Sequence, residues 1–133
     1  AEGLSDYKIS IFGQPNWIQF AEDKKNDFSR YNCQYFTKFI SDSSINSIKE
    51  LEDKFEVYFK TEQYPSYPKY GVMGYDIGKY FLNNEKYFID GGEIKNINTL
   101  QTPLKFEKSK GYFNNQIIFV SYDSNGQLQK HVF

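Results

Sequence analysis

The sequence holds few of the residues that most often carry chemistry. Its 133 residues include one Cys, one His, one Trp and one Arg. Cys33 stands alone, so it cannot form an intrachain disulfide, and with His131 it cannot complete a zinc or iron site of several Cys and His ligands. The 16 basic and 17 acidic residues leave a formal charge of −1. Because nucleic-acid binding depends on clustered Lys and Arg, we expect no nucleic-acid partner.

The same scarcity argues against catalysis. Nucleophilic catalysis by Cys33 would need a base close in space, and the single His lies near the C-terminal end of the sequence. The segment Gly91-Gly92-Glu93 lacks the Lys and Ser or Thr of a phosphate-binding loop. No apolar run approaches the roughly 20 residues that cross a bilayer. We therefore predict a protein that is not an enzyme, has no catalytic or metal site, uses no cofactor and does not insert directly into a membrane.

Aromatic side chains are what the sequence has in excess. There are 13 Phe and 12 Tyr, and aromatics make up 20% of the chain, although hydrophobic residues reach only 39% and the mean hydropathy is −0.69. A Tyr ring joins an apolar body to a polar tip, which suits half-buried positions and binding surfaces alike. Two interpretations follow: the rings fill a small core, or some of them form a recognition surface.

Periodicity predicts strands and helices in alternation along the chain. Strand segments alternate apolar and polar residues, whereas helical segments place apolar residues three and four apart behind N-cap residues. The predicted elements are a strand over Tyr7–Phe12, a short helix from Pro15 or Asn16, a loop or helix end over 22–27, a strand over about 31–40, a helix from the N-cap cluster 41–44 to about Lys60, a second helix from Tyr70, a break at Gly91-Gly92, a short strand over 104–106, and a terminal hairpin of 117–122 and 127–133. The Asn125-Gly126 pair favours a tight turn in that hairpin.

Three glycines, Gly71, Gly74 and Gly78, interrupt the second long helix. Each costs about 1 kcal/mol relative to Ala in a helix interior, so a neighbour is expected to pack closely against that face. We favour close packing of the helix on a sheet; approach of the backbone to a ligand is the alternative.

The order of these segments resembles the C-terminal part of type I periplasmic ligand-binding proteins. The strand at 7–13, followed by Gln14-Pro15-Asn16-Trp17, resembles a strand and aromatic-bearing turn of that family. The run 35–39 with Asp42-Ser43 resembles the strand that crosses the hinge before a long helix. A Pro–Tyr–Gly-Tyr-Asp segment of the family is matched by Pro68, Tyr70, Gly74, Tyr75 and Asp76, and its closing strands by 103–106 and the hairpin.

This resemblance implies an α/β fold: part of a type I periplasmic-binding-protein-like fold, with a three-layer arrangement of sheet and flanking helices and a C-terminal β-hairpin. Residues 1–133 would form a single domain, the C-terminal part of a larger two-lobe protein of the kind sometimes attached to LysM peptidoglycan-binding modules. The implied function is non-catalytic binding of a small polar ligand in an interlobe cleft, as in transport. The implied location is the periplasm or cell envelope, with a small molecule or cell-wall component as partner and possible oligomers.

If the binding mode of that family applies, ligand contacts come from loops at the carboxyl ends of the strands, where open α/β sheets bind their ligands. The resemblance then implies Gln14, Asn16 and Trp17 after the first strand. Tyr70, Tyr75 and Asp76 form a second candidate group. Each has a structural alternative: Trp17 anchors a helix to the core, Asp76 stabilises a helix start, and the tyrosines pack a helix onto the sheet. We expect Trp17→Ala and Tyr75→Ala to reduce stability more than they reduce binding.

A second hypothesis is a stand-alone interaction module that holds a protein or glycan through exposed tyrosines and the edge of the terminal hairpin. One observation separates the two hypotheses. Helices on both faces of a mainly parallel sheet would favour the solute receptor, and an aromatic patch on one face of an antiparallel sheet would favour the interaction module.

Overall fold

The computed structural model describes residues 9–40 and 46–133, which divide into two compact units. Unit 1 is the described part of Ala1–Thr37 together with Ile118–Phe133, and unit 2 is the described part of Lys38–Ile117. The predicted α/β class is confirmed, because the chain contains helices, a mixed sheet and a separate antiparallel hairpin. The single domain over 1–133 and the three-layer receptor arrangement stay predictions.

In chain order the described elements are β1 (Ile11–Phe12), a 3-10 helix (Pro15–Phe20), α1 (Ala21–Arg30), β2 (Cys33–Thr37), α2 (Asn46–Phe59), α3 (Tyr70–Asn83), α4 (Glu85–Asp90), β3 (Phe106–Lys108), β4 (Tyr112–Asn114), β5 (Ile118–Tyr122) and β6 (Leu128–Val132). Unit 1 holds a four-stranded sheet in the order β1-β2-β5-β6. The pair β1–β2 is parallel, and the pairs β2–β5 and β5–β6 are antiparallel.

One face of this sheet forms the core of unit 1. Side chains alternate across a strand, and β2 and β5 bury every second residue: Cys33, Tyr35, Thr37, Ile118, Val120 and Tyr122. Helix α1 covers that face through Phe28, whose ring centroid lies 5.1 Å from that of Tyr122. Trp17 in turn stacks on Phe28 at 5.8 Å. The 3-10 helix and α1 are thus fixed to the sheet by a chain of aromatic contacts.

The predicted terminal hairpin is confirmed, with its turn at Asp123–Gln127. Oδ1 of Asp123 accepts the backbone N–H groups of Asn125 and Gln127 at 2.8 and 2.9 Å. Gly126 has a φ of 74°, a left-handed conformation that glycine adopts at no steric cost. The Asp side chain and the glycine together explain why the chain reverses here.

Unit 2 packs three helices and the β3–β4 hairpin around a small core. Ile48 of α2 and Val72 of α3 are fully buried, and Tyr80 of α3 is 1% exposed. The ring of Tyr80 lies 5.6 Å from Phe106 and 6.5 Å from Phe88. Helix α4 ends at Gly91, whose φ of 71° gives the left-handed cap that many helices use.

Several sequence predictions need correction. The stretch 22–27, interpreted as a loop or helix end, lies inside α1, and neither α4 nor β4 was predicted. The close packing expected at the glycines of α3 is wrong for Gly74 and Gly78, because a Cβ at either position would meet no described atom within 4 Å. A Cβ at Gly71 would overlap the Gln63 side chain. The strand residues Tyr7 and Lys8 and the N-cap cluster 41–44 lie outside the described residues.

Candidate functional site

The second face of the unit 1 sheet carries a row of rings. The strand register places Phe36 of β2 beside Phe119 of β5, and Phe119 beside His131 of β6. The two Phe ring centroids are 5.2 Å apart with planes tilted by 52°. We call these three residues the ring row. Neighbouring strands lie about 4.8 Å apart, so the row extends across three adjacent strands of one sheet face.

A row of neutral polar side chains runs beside the ring row. Gln34 of β2, Ser121 of β5 and Gln129 of β6 are register partners, two residues along their strands from the ring row. The parallel pairing places Phe12 of β1 next to Gln34 at the end of this amide row. Amide groups offer both donors and acceptors, and a hydroxyl does the same. The face therefore presents apolar rings and neutral hydrogen-bonding groups side by side.

Two Phe rings of this face are exposed, whereas Phe119, in the middle of the ring row, is half-buried. Phe12 is 67% exposed and Phe36 is 48% exposed, although both are large apolar residues. The amides are partly oriented: Gln34 Nε2 donates to Asn32 Oδ1 at 3.2 Å, and Gln129 Nε2 donates to Asp123 Oδ2 at 3.2 Å. Clusters of exposed apolar side chains bordered by polar residues mark interaction sites more often than isolated ones do.

The residues expected after the first strand lie in unit 1. Gln14 precedes the 3-10 helix, and its backbone oxygen accepts the Trp17 N–H at 3.0 Å, but its side chain caps nothing. Gln14 and Asn16 are exposed. Trp17 is half-buried against Phe28, and a Cβ at Gly13 would overlap its indole. These contacts match the structural alternative for Trp17, that it anchors a helix.

The second candidate group lies in unit 2, on α3. Tyr70 and Tyr75 are 65% and 43% exposed. The Nζ of Lys79 lies 5.8 Å from the centroid of the Tyr75 ring, within cation–π range. Unit 1 thus contains the first candidate group, and unit 2 contains the second.

Asp76 is fully buried in the middle of α3 rather than near its start. Its Oδ1 accepts the backbone N–H of Leu100 at 2.7 Å, and its Oδ2 accepts those of Gln101 and Thr102 at 2.8 and 2.9 Å. A carboxylate that binds three N–H groups has little acceptor capacity left. In this geometry Asp76 anchors a loop, a role that neither sequence interpretation contained.

Further side chains hold the same irregular segment, 91–105. Asn84 Oδ1 accepts the Lys95 N–H at 2.6 Å, and Asn84 Nδ2 donates to the Lys95 carbonyl at 3.2 Å. The Gln101 amide forms two hydrogen bonds with the backbone of Lys69, at 3.0 and 3.1 Å. Buried polar groups that fix a segment without secondary structure give it a defined shape.

Cys33 and His131 cannot act as a pair in unit 1, because they lie on opposite faces of the sheet. Cys33 faces the core, where burial and, to a smaller extent, the Asp27 carboxylate raise the pKa of its thiol. His131 belongs to the ring row on the exposed face. A nucleophilic thiol needs a lowered pKa and a base within hydrogen-bond reach.

Unit 2 also has an acidic groove of about 450 Å³ between α2 and the segment 62–69. It is lined by Glu52, Asp53, Glu56 and Glu62, and Lys69 Nζ forms an ion pair with Glu52 at 2.6 Å. Within the described ranges, no group of three or more His, Cys, Asp or Glu side chains is arranged to hold a metal ion. None of the helices in residues 9–40 and 46–133 is long and apolar enough to cross a membrane.

Comparison with known proteins gives no match: no family model, no curated protein and no solved structure is similar to this chain. The resemblance to type I periplasmic ligand-binding proteins therefore stays a prediction.

Sequence reasoning missed the ring row and the amide row. A signal was present, since Phe36 and Phe119 each alternate with buried strand residues. The register between β2, β5 and β6, which sequence periodicity does not give, is what brings the rings together.

Proposed function

We propose that the protein is a non-catalytic glycan-binding module, and that unit 1 binds an extended polysaccharide chain on the exposed face of its sheet. The observation that carries this proposal is the ring row of Phe36, Phe119 and His131 beside the amide row. An aromatic patch on one face of a mainly antiparallel sheet is the feature that we expected to favour an interaction module over a solute receptor.

The two rows match the two kinds of surface on a sugar. The C–H face of a pyranose ring is apolar and packs on an aromatic ring, and its hydroxyl groups both donate and accept hydrogen bonds. Gln34, Ser121 and Gln129 can serve those hydroxyls as donors and acceptors. No carboxylate or ammonium group belongs to either row, so the chemistry favours a ligand recognised by shape and neutral hydrogen bonds.

A flat surface favours a chain over a single small molecule. Small ligands bind in concave pockets that bury most of their surface. The rows instead extend across the strands of an open sheet face, where several consecutive sugar units could each contact a ring or an amide. A protein partner is the other hypothesis for this face. The core of a protein–protein interface is fully buried and apolar, so a protein partner would have to cover the rings with apolar groups of its own.

Sedimentation with insoluble chitin, cellulose and purified peptidoglycan tests the proposal. We expect retention on at least one of these polysaccharides, with Phe36→Ala and Phe119→Ala each reducing affinity about tenfold, since loss of one ring removes apolar packing that contributes about 1.5 kcal/mol. Tyr58→Ala is the matched control, because Tyr58 is an aromatic residue of unit 2 that is 82% exposed.

Two outcomes would overturn this function. Retention on none of the three polysaccharides would exclude a polysaccharide partner of these classes. Retention that Phe36→Ala and Phe119→Ala leave unchanged would place the binding surface elsewhere. Circular dichroism of each variant separates loss of binding from loss of folding.

The receptor hypothesis differs from this proposal in its ligand and its site. It would require a cleft between lobes that includes Gln14, Asn16 and Trp17 or Tyr70, Tyr75 and Asp76. Location in the periplasm or cell envelope fits both hypotheses, because a cell-wall glycan would be found there.

A further inference from the structure

Unit 2 contains a polar groove that the proposed function does not use. It is an open depression with a volume of about 550 Å³, so a ligand there would be held mainly by polar contacts with the lining. Residues 96–99, 103–105 and Gln116 line it. Half of the lining residues are neutral and polar, namely Asn96, Asn98, Thr99 and Gln116, and the others are Ile97, Pro103, Leu104 and Lys105.

The groove is built on a fixed segment. Asp76 binds the N–H groups of residues 100–102, between the two lining stretches. Asn114 binds the second stretch on both sides: Oδ1 accepts the Lys105 N–H at 2.9 Å and Nδ2 donates to the Pro103 carbonyl at 3.0 Å. A site held in this way loses little conformational entropy when a ligand binds.

The charge at the groove has one sign. Lys105 is the one charged side chain in the described lining, and no carboxylate lines it. Two more lysines bind lining residues: Lys79 Nζ donates to the Asn98 carbonyl at 3.1 Å, and Lys38 Nζ donates to the Gln116 carbonyl at 3.0 Å. The groove therefore combines a positive potential with amide donors and acceptors.

Two buried polar atoms adjoin the lining along the chain but do not belong to it. Thr102 Oγ1 and Asn115 Oδ1 have no hydrogen-bond partner in the part of the chain that the structure describes. Buried polar groups are nearly always paired, so we expect ordered water at these two atoms.

We infer that this groove binds a small hydroxylated carboxylate, such as a sugar acid. The carboxylate would pair with the Lys105 ammonium, and the hydroxyl groups would bond to the amides of Asn96, Asn98 and Gln116. A neutral sugar would lack the ion pair, and an amino sugar would be repelled by the lysines. This inference does not depend on the glycan-binding proposal, because it concerns unit 2 alone.

Titration calorimetry with three sugars of one skeleton tests the inference: D-glucuronate, D-glucose and D-glucosamine. We expect glucuronate to bind, glucose to bind about fivefold more weakly, and glucosamine not to bind, because an ion pair with an exposed ammonium contributes up to about fivefold in affinity. Added salt should weaken glucuronate binding, since the ammonium is exposed to solvent.

Lys105→Ala should reduce glucuronate affinity about fivefold, the contribution of an ion pair with an exposed ammonium. Lys108→Ala is the matched control, because Lys108 is an exposed lysine of β3 that lies outside the lining, 5.7 Å from the Tyr112 ring. Asn96→Ala should also weaken glucuronate binding, because it removes one of the amides that would bond to the hydroxyl groups. Asn96 is exposed, so we expect this variant to fold.

The inference fails if glucuronate shows no saturable binding at millimolar concentration, if glucose binds as tightly as glucuronate, or if Lys105→Ala and Lys108→Ala behave alike. Phe36→Ala should leave glucuronate binding unchanged while it weakens polysaccharide retention. That pair of results separates failure of this site from failure of the proposed function.

Discussion

The aromatic rings of unit 1 and unit 2 make similar contacts with each other but differ in exposure. The Phe36–Phe119 pair of unit 1 and the Tyr80–Phe106 pair of unit 2 have centroid distances of 5.2 and 5.6 Å. Phe36 is 48% exposed, whereas Tyr80 is 1% exposed. Ring pairing alone therefore does not distinguish a core from a binding surface. The side of the sheet or helix that a ring occupies decides which role it has.

The largest expected difference is in stability. Tyr80→Ala should lower the free energy of unfolding by about 3–5 kcal/mol, because it removes a buried ring and the hydroxyl that accepts the Phe106 N–H at 3.1 Å. Phe36→Ala should cost about 1 kcal/mol, because it removes an exposed ring from one tilted pair. Urea denaturation of both variants measures the contrast. Equal losses would show that the two ring pairs are not different in kind.

A second prediction concerns the loop that Asp76 holds. Asp76→Asn keeps the size of the side chain but leaves only one acceptor oxygen for three N–H groups. We expect a loss of about 1–3 kcal/mol in the free energy of unfolding, the cost of an unsatisfied buried group. Asp53→Asn, on the exposed surface of α2, is the control and should change stability by less than about 0.5 kcal/mol. A stable Asp76→Asn protein would contradict the anchoring role.

Trp17 in unit 1 is half-buried, so its exposure is intermediate between that of the core rings and that of the exposed rings. Trp17→Ala should cost about 1–2 kcal/mol through lost stacking on Phe28. Polysaccharide retention should stay within about twofold of the unsubstituted protein, because the indole packs on the side of the sheet opposite the ring row. Thermal melting and sedimentation on the same samples check both parts, and lost retention with unchanged melting would make Trp17 a ligand contact.

The smallest effect is a pH dependence at Cys33. Burial first, and then the Asp27 carboxylate, raises the pKa of this thiol above its ordinary value of 9.0. The unfolded chain releases the proton at lower pH than the folded protein does. The stabilising contribution of the neutral thiol is therefore present below about pH 9 and is lost as the pH rises through the folded pKa.

Urea denaturation between neutral and alkaline pH measures this effect. Stability of the unsubstituted protein should fall more steeply above pH 9 than stability of Cys33→Ala. Parallel curves for the two proteins would show that the thiol does not contribute.

Local patterns predicted much of the fold. The helices α2 and α3 and the hairpin of β5 and β6 follow from apolar periodicity and from Asn125-Gly126, all of which act over a few residues. The ends of elements were less accurate, and the predicted strand over 31–40 is only Cys33–Thr37. The polar stretch 22–27 inside α1 predicts a loop or a helix end, and not a helix interior, because the apolar contact of this helix, at Phe28, comes after it in the sequence.

Contacts between residues far apart in sequence were not predictable in this way. Asp76 lies 24 to 26 residues from the N–H groups that it binds. Strand register likewise places Phe36 beside Phe119, although all the residues of unit 2 lie between them in the sequence. The candidate residues Gln14, Asn16, Trp17, Tyr70 and Tyr75 came from a resemblance in segment order, and their role in ligand binding stays a prediction.

The proposed function requires that sugars contact the exposed sheet face of unit 1. Backbone amide chemical shifts, recorded during titration with chitohexaose and cellohexaose, test it residue by residue. We predict saturable shifts at Gln34, Phe36, Phe119, Ser121 and Gln129 with at least one of these oligosaccharides, and none at Tyr80 or Phe88. Shifts confined to unit 2, or no shifts with either sugar, would contradict the claim.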